Sequence, residues 1–268
     1  MKQLEGSVVL ITGGNKGIGL QSALAFGQLG CRIYICGRDS HALECALDML
    51  HKAGCTAFAI QTDVSDSEQC RTLIETIDQA ERRLDILINN AGMSMRGTIE
   101  STEVSVIRRM IEINYLGACY LTHYSIPLIK RSQGSIVFIS SLTALHGLPN
   151  VGPYGASKLA LRNFAQSLQA ELASAKVHVG IIHVGFTDFD EGKTLYAADG
   201  SLIALRRTKN HQTRQQVARS IVRCVMSRKR EMTLTWLGRL AYGIYRFFPR
   251  LSDTLVCHLA KSKDIVGS

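Results

Sequence analysis

Short apolar runs alternate with helix-length segments through most of the chain. Six of these runs predict strands, at 7–12, 32–36, 56–61, 85–89, 135–140 and 177–183. Several are apolar at consecutive positions, which is typical of strands that are covered on both faces of a parallel sheet. Segments with helical character lie between them, at 17–29, 40–53, 66–80, 103–130 and 153–174.

The same alternation continues towards the C-terminus. A helix at 214–227 and a seventh strand at 231–236 complete the pattern. Strands that alternate with helices predict an α/β fold, a Rossmann-like, doubly wound, parallel seven-stranded sheet with helices on both faces. We expect one domain over 1–236 and a basic, aromatic helical extension over 237–268. The polar stretch 186–212 lacks periodicity, which predicts a mobile loop over a pocket.

Composition narrows the class of protein. The eight cysteines are scattered without a C-x-x-C pair, so we expect reduced thiols and no metal site. We expect no secretory leader before the first strand, and no apolar run approaches the roughly 20 residues of a spanning helix. These features predict a cytoplasmic protein.

Charge is distributed unevenly along the chain. Residues 1–200 carry 17 Lys+Arg against 19 Asp+Glu, whereas residues 201–268 carry 14 against 3. Within that basic quarter, 236–250 mixes aromatic residues with arginines. Such a segment either packs on the domain or a dimer partner, or makes peripheral contact with an anionic membrane surface. No recognised nucleic-acid-binding motif accompanies the charge, so we expect no nucleic-acid partner.

A glycine-rich loop follows the first predicted strand and opens the first helix. It reads Thr12-Gly13-Gly14-Asn15-Lys16-Gly17-Ile18-Gly19. Glycines let the backbone approach an anion closely, and the free N–H groups of a helix N-terminus face it. The loop therefore predicts a site for the pyrophosphate of a dinucleotide.

The end of the second strand bears on the choice of cofactor. An acidic residue there would bind the ribose hydroxyls of NAD, whereas an arginine accommodates the 2′-phosphate of NADP. Here Arg38 follows the strand, and Lys16 adds a cation from the glycine loop. Asp39 is a competing partner for Arg38. The pattern favours NADP(H) over NAD(H).

Tyr154 and Lys158 are four residues apart on a predicted helix, so their side chains share one face. A nearby ammonium group lowers the pKa of a phenol, which ordinarily lies near 10. Asn114 and Ser141 precede this pair on neighbouring elements, and Asn89-Asn90-Ala91-Gly92 ends the fourth strand. Over roughly residues 5–185, these motifs and the glycine loop resemble the short-chain dehydrogenase/reductase family, in the family's order.

The resemblance implies roles for the catalytic candidates. Tyr154 would be the general acid/base, and Lys158 would bind the nicotinamide ribose and lower the Tyr154 pKa. Ser141 would hydrogen-bond the substrate oxygen, a role that suits the neighbouring Ser140 less well. Asn114 would help to hold a water-linked proton relay to Lys158.

The resemblance also implies cofactor contacts and an assembly. Asp63 and Val64 would contact adenine, and Asn90 would lie by the adenosine ribose, next to Ala91 and Gly92. The family further suggests a homo-oligomer built on the helices at 103–130 and 153–174, and we favour a dimer.

One stretch departs from the family pattern. After the sixth strand, Val184 stands at the usual proline, and Phe189 lies near the usual threonine. Gly185 is kept, and Thr187 is the substitute we expect for contacts to the nicotinamide. His183 is expected to be a structural residue at the end of the strand.

The leading hypothesis is therefore an NADPH-dependent reductase of a hydrophobic or lipid-like ketone. Apolar residues are expected around the cleft: Met93, Met95, Leu142, Leu145, Leu148 and Phe186. An alcohol-oxidising dehydrogenase would use the same residues in reverse. A non-catalytic cofactor-binding or membrane-associated protein is the alternative from another class, but such a protein would be expected to lose Tyr154 or Lys158.

Overall fold

A computed structural model describes residues 4–190, 192–205, 212–250, 252–254 and 256. Its main sheet has seven parallel strands in the order β3-β2-β1-β4-β5-β6-β9. These strands are β1 (Val8–Thr12), β2 (Arg32–Gly37), β3 (Thr56–Gln61), β4 (Ile86–Asn89), β5 (Ser135–Ser141), β6 (His178–Val184) and β9 (Glu231–Thr233). The order reverses between β1 and β4, and ligands of doubly wound sheets bind at the carboxyl ends of the strands at such a reversal. The predicted fold class is confirmed.

Helices cover both faces of this sheet. Their bounds are α1 (Gly17–Gly27), α2 (Ser40–Lys52), α3 (Ser67–Glu81), α4 (Val104–Ile111), α5 (Gly117–Ser132), α6 (Gly152–Glu171) and α7 (Arg214–Met226). Alternate residues of β1 enter different cores: Val8 and Leu10 pack with α3, α5 and α6, whereas Val9 and Ile11 pack with α1, α2 and α7. Strand side chains point alternately to the two faces, so continuous apolar strands fill both cores.

The helix predicted over 103–130 is interrupted. α4 ends at Ile111, a π-helical turn spans Glu112–Leu116, and α5 continues from Gly117. A π turn widens the helix and disturbs its regular backbone hydrogen bonds, and such turns occur often at functional sites. Asn114 lies within this turn.

The segment predicted as a loop over 186–212 contains a small second sheet. β7 (Thr194–Tyr196) pairs antiparallel with β8 (Leu202–Ala204). Each strand is only three residues long, which is too short for an alternating pattern to stand out in the sequence. Residues 191 and 206–211 lie outside the described residues.

The last strand and the C-terminal extension differ from their predicted bounds. β9 ends at Thr233, and α8 (Trp236–Phe247) begins one residue before the predicted start of the extension, capped by the Thr235 hydroxyl. The part of the extension over 257–268, with Cys257, lies outside the described residues. Throughout the described ranges, no helix is both long and apolar enough to cross a bilayer.

Candidate active site

The phosphate turn is tied to the end of β4 by backbone and side-chain hydrogen bonds. The Thr12 hydroxyl accepts from the backbone N–H groups of Asn90 and Ala91, at 2.9 and 2.8 Å. The Asn90 amide in turn donates to the Thr12 carbonyl at 2.8 Å and to the Gly13 carbonyl at 3.3 Å. Asn90, expected by the adenosine ribose, thus holds the shape of the turn.

Glycine is required at several positions of the turn. Gly13 and Gly17 adopt φ angles of +61° and +59°, which side chains disfavour. A Cβ atom on Gly19 would lie 2.1 Å from the Gly13 carbonyl oxygen. Asn15 and Ile18 fill the intervening positions, and α1 begins at Gly17.

An anionic oxygen already lies at the start of α1. The Gly17 N–H donates to the Asp190 carboxylate at 2.8 Å, across 173 residues of sequence. Arg214, at the start of α7, forms ion pairs with Asp190 and, at 3.3 Å, with Asp188. The helix terminus therefore accepts an oxyanion, as the pyrophosphate of a dinucleotide requires. Sequence reasoning missed Asp190 and Arg214, because no local pattern connects them with the turn.

The cations that bear on cofactor choice lie at the surface. Arg38 follows β2 with half of its side chain exposed, and its only ion pair among the described residues is with Asp63, at 3.9 Å. Asp39 caps α2 by accepting from the Ala42 N–H. Lys16 is exposed at the start of α1. Withdrawal of the Lys193 ammonium from water and the charge of Lys16 lower the Lys193 pKa, so a further cation lies near the phosphate turn.

Asp63 and Val64 follow β3 at the same edge of the sheet. The Asp63 carboxylate accepts from the backbone N–H and the hydroxyl of Ser65, at 2.9 and 2.7 Å. Val64 is buried, and its carbonyl oxygen packs closely on Gly117. A Cβ atom on Gly117 would lie 2.8 Å from that oxygen. The adenine contact that the resemblance implies for both residues stays a prediction.

Asn114 is fully enclosed and makes several hydrogen bonds. Its side-chain oxygen accepts from the Met93 N–H at 2.8 Å, and its amide donates to the Met93 carbonyl at 2.9 Å and to the Ser157 hydroxyl at 3.0 Å. This pairing joins the π turn to the segment after β4 and to the helix that carries Tyr154. Because the side chain is used in this way, Asn114 sets the spacing between three elements.

Lys158 lies beside Asn114. Its Nζ atom donates to the Ile139 carbonyl at 3.0 Å, and burial lowers its pKa from 10.5 to about 8. A Cβ atom on Gly92 would lie 2.8 Å from the Asn114 side-chain oxygen and 3.2 Å from Lys158 Nζ. Both groups therefore lie on the side of Gly92 on which a side chain would stand, at the end of β4.

Tyr154 is half-buried at the start of α6, with Ser141 as its hydrogen-bond partner. Burial raises the Tyr154 pKa, and the Ser141 hydrogen bond and the charge of Arg96 partly offset this effect. The expected lowering by Lys158 is not among these causes. The phenol is consequently protonated at neutral pH in the cofactor-free protein.

The two neighbouring serines have different roles. Ser140 is buried and donates to the Lys158 carbonyl at 3.1 Å, so it supports the backbone of α6. Ser141 interacts with Tyr154, and its hydroxyl also accepts from the Thr143 N–H at 3.3 Å. The geometry thus favours Ser141 over Ser140 as the substrate-facing hydroxyl.

Arg96 is a neighbour of Tyr154 that sequence reasoning missed. Its Nη1 atom donates to the Met95 carbonyl at 2.8 Å and to the Ser94 hydroxyl at 3.3 Å. Burial lowers the Arg96 pKa, although the guanidinium remains charged at neutral pH. A positive charge is therefore available beside the phenol.

The segment after β6 packs against neighbouring parts of the chain. Val184 and Phe189 are buried, and the Thr187 hydroxyl donates to the Gly185 carbonyl at 3.1 Å. Thr187 also pairs with Gln212 through a backbone bridge. Gly185 lies against Thr235. A Cβ atom on Gly185 would lie only 2.9 Å from the Thr235 methyl group.

His183 is buried within β6 and contacts Glu231 of β9 at 2.8 Å. Arg162 of α6 donates to the same carboxylate at 3.0 Å. His183 and Arg162 lower the Glu231 pKa, with the His183 hydrogen bond the largest cause. These contacts join β6, β9 and α6, which agrees with a structural role for His183. Among the described residues, no three His, Cys, Asp or Glu side chains form a metal-binding group.

The apolar residues expected around the cleft are only partly gathered there. Met95 is buried in a small cluster with Tyr196, on which Met93 and Tyr154 pack. Leu145 is also buried, whereas Phe186 is 63% exposed. The side of the site near Tyr154 is therefore apolar, apart from Arg96 and Ser141.

Comparison with known proteins gives a consistent result. A family model described as short chain dehydrogenase matches residues 7–200. Dehydrogenase/reductase SDR family member 7B of Xenopus laevis is 32% identical over 97% of this chain and 84% of its own length. The protein of the same name from Mus musculus is 34% identical over 97% of this chain and 83% of its own length.

A solved structure shares the fold. It is a short chain dehydrogenase/reductase from Burkholderia phymatum in complex with NAD, which superposes with a TM-score of 0.82 at 21% identity. The match covers 94% of this chain and 96% of that protein.

Proposed function

Because this chain belongs to the short-chain dehydrogenase/reductase family of oxidoreductases, we propose that it reduces the ketone of a hydrophobic or lipid-like substrate with NADPH. The observation that carries the proposal is the grouping of four side chains at the carboxyl end of the sheet: Asn114, Ser141, Tyr154 and Lys158. This is the end of a doubly wound sheet at which ligands bind.

Tyr154 is the proton donor. A ketone accepting a hydride develops negative charge on its oxygen, and a neutral phenol at hydrogen-bond distance can transfer its proton to that oxygen. Burial, which raises the Tyr154 pKa, keeps the phenol protonated until substrate is present. Ser141 donates a hydrogen bond to the same oxygen. A neutral phenol is the form that reduction requires, and alcohol oxidation would use the same residues with the phenolate as the base.

Lys158 resupplies the proton, along a path that Asn114 positions. With a pKa of about 8, Lys158 exchanges protons near neutral pH more readily than an exposed lysine. Its ammonium also faces the side of Gly92 on which Asn114 lies. Asn114 positions this path, since its side chain fixes the backbone of Met93 on one side and Ser157 on the other.

The phosphate turn fits a dinucleotide, which supplies the hydride when bound. Its pyrophosphate would be held by Thr12, Gly13, Asn15, Gly17, Ile18 and Gly19. We propose NADP(H) over NAD(H) because, among the described residues, Arg38 has only a long ion pair to Asp63, and because Asp39 is used in capping α2. Lys16 and Arg38 are the cations available to a 2′-phosphate.

We further propose a homodimer in a reducing compartment such as the cytoplasm, in peripheral contact with a membrane through residues 236–250. The described cysteines are all free, which supports the compartment. The apolar surroundings of Tyr154 support a hydrophobic substrate.

One experiment tests the activity. NADPH and NADH oxidation are followed with a panel of aliphatic, acyl, steroid and sphingoid ketones, and Tyr154→Phe is compared with the unaltered protein. We expect NADPH to be preferred, and the variant to lose about a thousandfold in kcat, because general acid catalysis contributes roughly 10²–10⁴-fold. NADPH binding, measured by fluorescence, should be retained. Unimpaired turnover by the variant would overturn the mechanism, and a preference for NADH would overturn the cofactor assignment.

A further inference from the structure

Helix α8 has an inner face that packs on the active-site side of the domain. Gly238 lies against Leu142, the residue after Ser141, since a Cβ atom there would approach the leucine side chain to 2.6 Å. Tyr242 accepts a hydrogen bond from Arg162 at 2.7 Å, one turn beyond Lys158 on α6. Tyr245 packs on His146 with 4.6 Å between ring centres. These inner residues are spaced four and three apart, so they share one side of the helix.

The opposite side of α8 is apolar and exposed. Trp236, Leu240 and Phe247 are 73%, 51% and 73% exposed. They are spaced four and seven residues apart, so they also share one side of the helix. We call these three residues the outer face of α8. A surface helix of a globular protein normally directs such residues inward and its polar residues outward. In α8 both sides carry large side chains. Because the inner side already packs on the domain, the outer face is available to another partner.

Arginines run beside the outer face. Arg239 and Arg246 are seven residues apart on one flank of the helix, and Arg250 follows its end. Arg239 donates to the Thr233 carbonyl and Arg246 to the Tyr242 hydroxyl. Neither pairs with an acidic group in the part of the chain that the structure describes. Between Leu234 and Leu251 the sequence contains no aspartate or glutamate.

We propose that the outer face of α8 docks on an anionic lipid surface, with Trp236 and Phe247 at headgroup depth and Arg239 and Arg246 on the phosphate groups. Aromatic rings and cations on adjacent sides of one helix match the two layers of a membrane interface. A second copy of this chain would present the same arginines, so pairing two outer faces would bring like charges together.

Docking through this face has a consequence for the active site. The inner face of α8 contacts Leu142 and, through Thr235, the backbone at Gly185. The lipid surface would thus lie one helix diameter from the Ser141 segment. Docking would therefore favour substrates that partition into lipid over water-soluble ketones. This consequence rests on the proposed function.

The sole tryptophan of the chain makes the docking directly measurable. Trp236 is the only one present, so intrinsic fluorescence reports on the outer face alone. The full-length protein is mixed with phosphatidylcholine vesicles, with or without phosphatidylserine, and emission and co-sedimentation are followed. We expect a blue shift, quenching by brominated lipid, and stronger binding to the vesicles that contain phosphatidylserine.

Two pairs of variants separate the contributions. The double variant Leu240→Ser with Phe247→Ser removes most of the apolar contact and keeps Trp236 as the fluorescent reporter. Its control is the double variant Ile99→Ser with Val104→Ser, which removes two exposed apolar side chains elsewhere on the surface. The double variant Arg239→Gln with Arg246→Gln removes the two charges beside the outer face. Its control is the double variant Arg219→Gln with Arg223→Gln, which removes two exposed charges from α7. The arginine variant should bind roughly 30-fold more weakly, since each cation near an anionic surface contributes about 1 kcal/mol.

Three outcomes would overturn the proposal. The first is the absence of both blue shift and co-sedimentation. The second is equal loss of binding in each variant and its control, which would indicate attraction by net charge alone. The third is a blue shift that grows with protein concentration in the absence of lipid, which would assign the outer face to a second copy. NADPH binding, followed in the same samples, tests the proposed function separately, because it does not depend on lipid.

Discussion

The phosphate turn and the segment after β6 lie at the same end of the sheet, yet different interactions hold them in place. The turn is fixed by short hydrogen bonds between Thr12 and the backbone at Asn90, and by glycines whose φ angles or close neighbours disfavour a side chain. The segment after β6 reaches the turn through a charged side chain, Asp190, which Arg214 neutralises. Contacts of the first kind define a single geometry, whereas ion pairs near the surface are weak and exchange readily.

The difference assigns separate tasks to the two regions. Groups that transfer hydride and proton must be held in fixed positions, which requires buried and fully hydrogen-bonded partners such as Asn114 and Ser157. A region that admits cofactor and substrate must open, which suits contacts of low stability. Substitutions among these fixed groups should therefore reduce catalysis, and substitutions in the segment after β6 should change binding.

Among substitutions that keep every catalytic side chain, Gly92→Ala is expected to have the largest effect. The added methyl group would lie 2.8 Å from the Asn114 side-chain oxygen and 3.2 Å from Lys158 Nζ, so both groups must move. A displacement of this size at a catalytic group lowers kcat by about 100-fold. Steady-state kinetics would measure the loss. Gly147→Ala is the control, because nothing lies within 4 Å of its added methyl group, and an equal loss in both variants would contradict the argument.

Lys158→Met should remove catalysis and increase stability. Burial lowers the pKa of Lys158 from 10.5 to about 8, which corresponds to roughly 3 kcal/mol of destabilisation while the ammonium is charged. Loss of its hydrogen bond to the Ile139 carbonyl offsets part of this gain, so we expect about 1–2 kcal/mol in the free energy of unfolding. Urea denaturation at pH 7 measures the difference.

The pH dependence of that difference follows from linkage. Between pH 8 and 10.5 the unfolded protein binds more protons at Lys158 than the folded protein, so the unaltered protein gains stability as the pH rises. The stability advantage of Lys158→Met should therefore be full below pH 8 and shrink towards pH 10. A constant advantage across this range would mean that the charge of Lys158 is not its cause.

The two regions also differ in how far the sequence predicted them. The seven-stranded parallel sheet and the bounds of most helices followed from periodicity, because both cores need apolar residues at regular spacing. The order of Gly13, Asn114, Ser141, Tyr154 and Lys158 indicated a site before any geometry was available. The π turn at Glu112–Leu116 was not predictable, since its local sequence is compatible with a regular helix.

Contacts between distant segments were the least predictable. Nothing near Asp190 indicates that it reaches Gly17, and nothing near Arg96 indicates that its charge acts on Tyr154. Such pairings depend on how the chain folds back on itself, and they carry no periodic signal. The strands β7 and β8 were missed for a related reason, because they are stabilised by their pairing with each other and not by an alternating pattern.

The smallest expected effect tests the segment after β6 most directly. Asp190 presents a carboxylate to the Gly17 N–H, where the pyrophosphate of a dinucleotide would bind, so the two anions compete for one helix terminus. Asp190→Asn removes the competing charge and leaves Asp188 as the acidic partner of Arg214. We expect NADPH to bind about two- to fivefold more tightly, since a charge at a helix terminus is worth about 0.3–1 kcal/mol. Fluorescence titration measures the dissociation constant, with Asp199→Asn as a control at an exposed turn. The gain should decrease as salt is added, because partly exposed charges are screened. Weaker binding by Asp190→Asn would mean that Asp190 helps to build the cofactor site and does not compete for it.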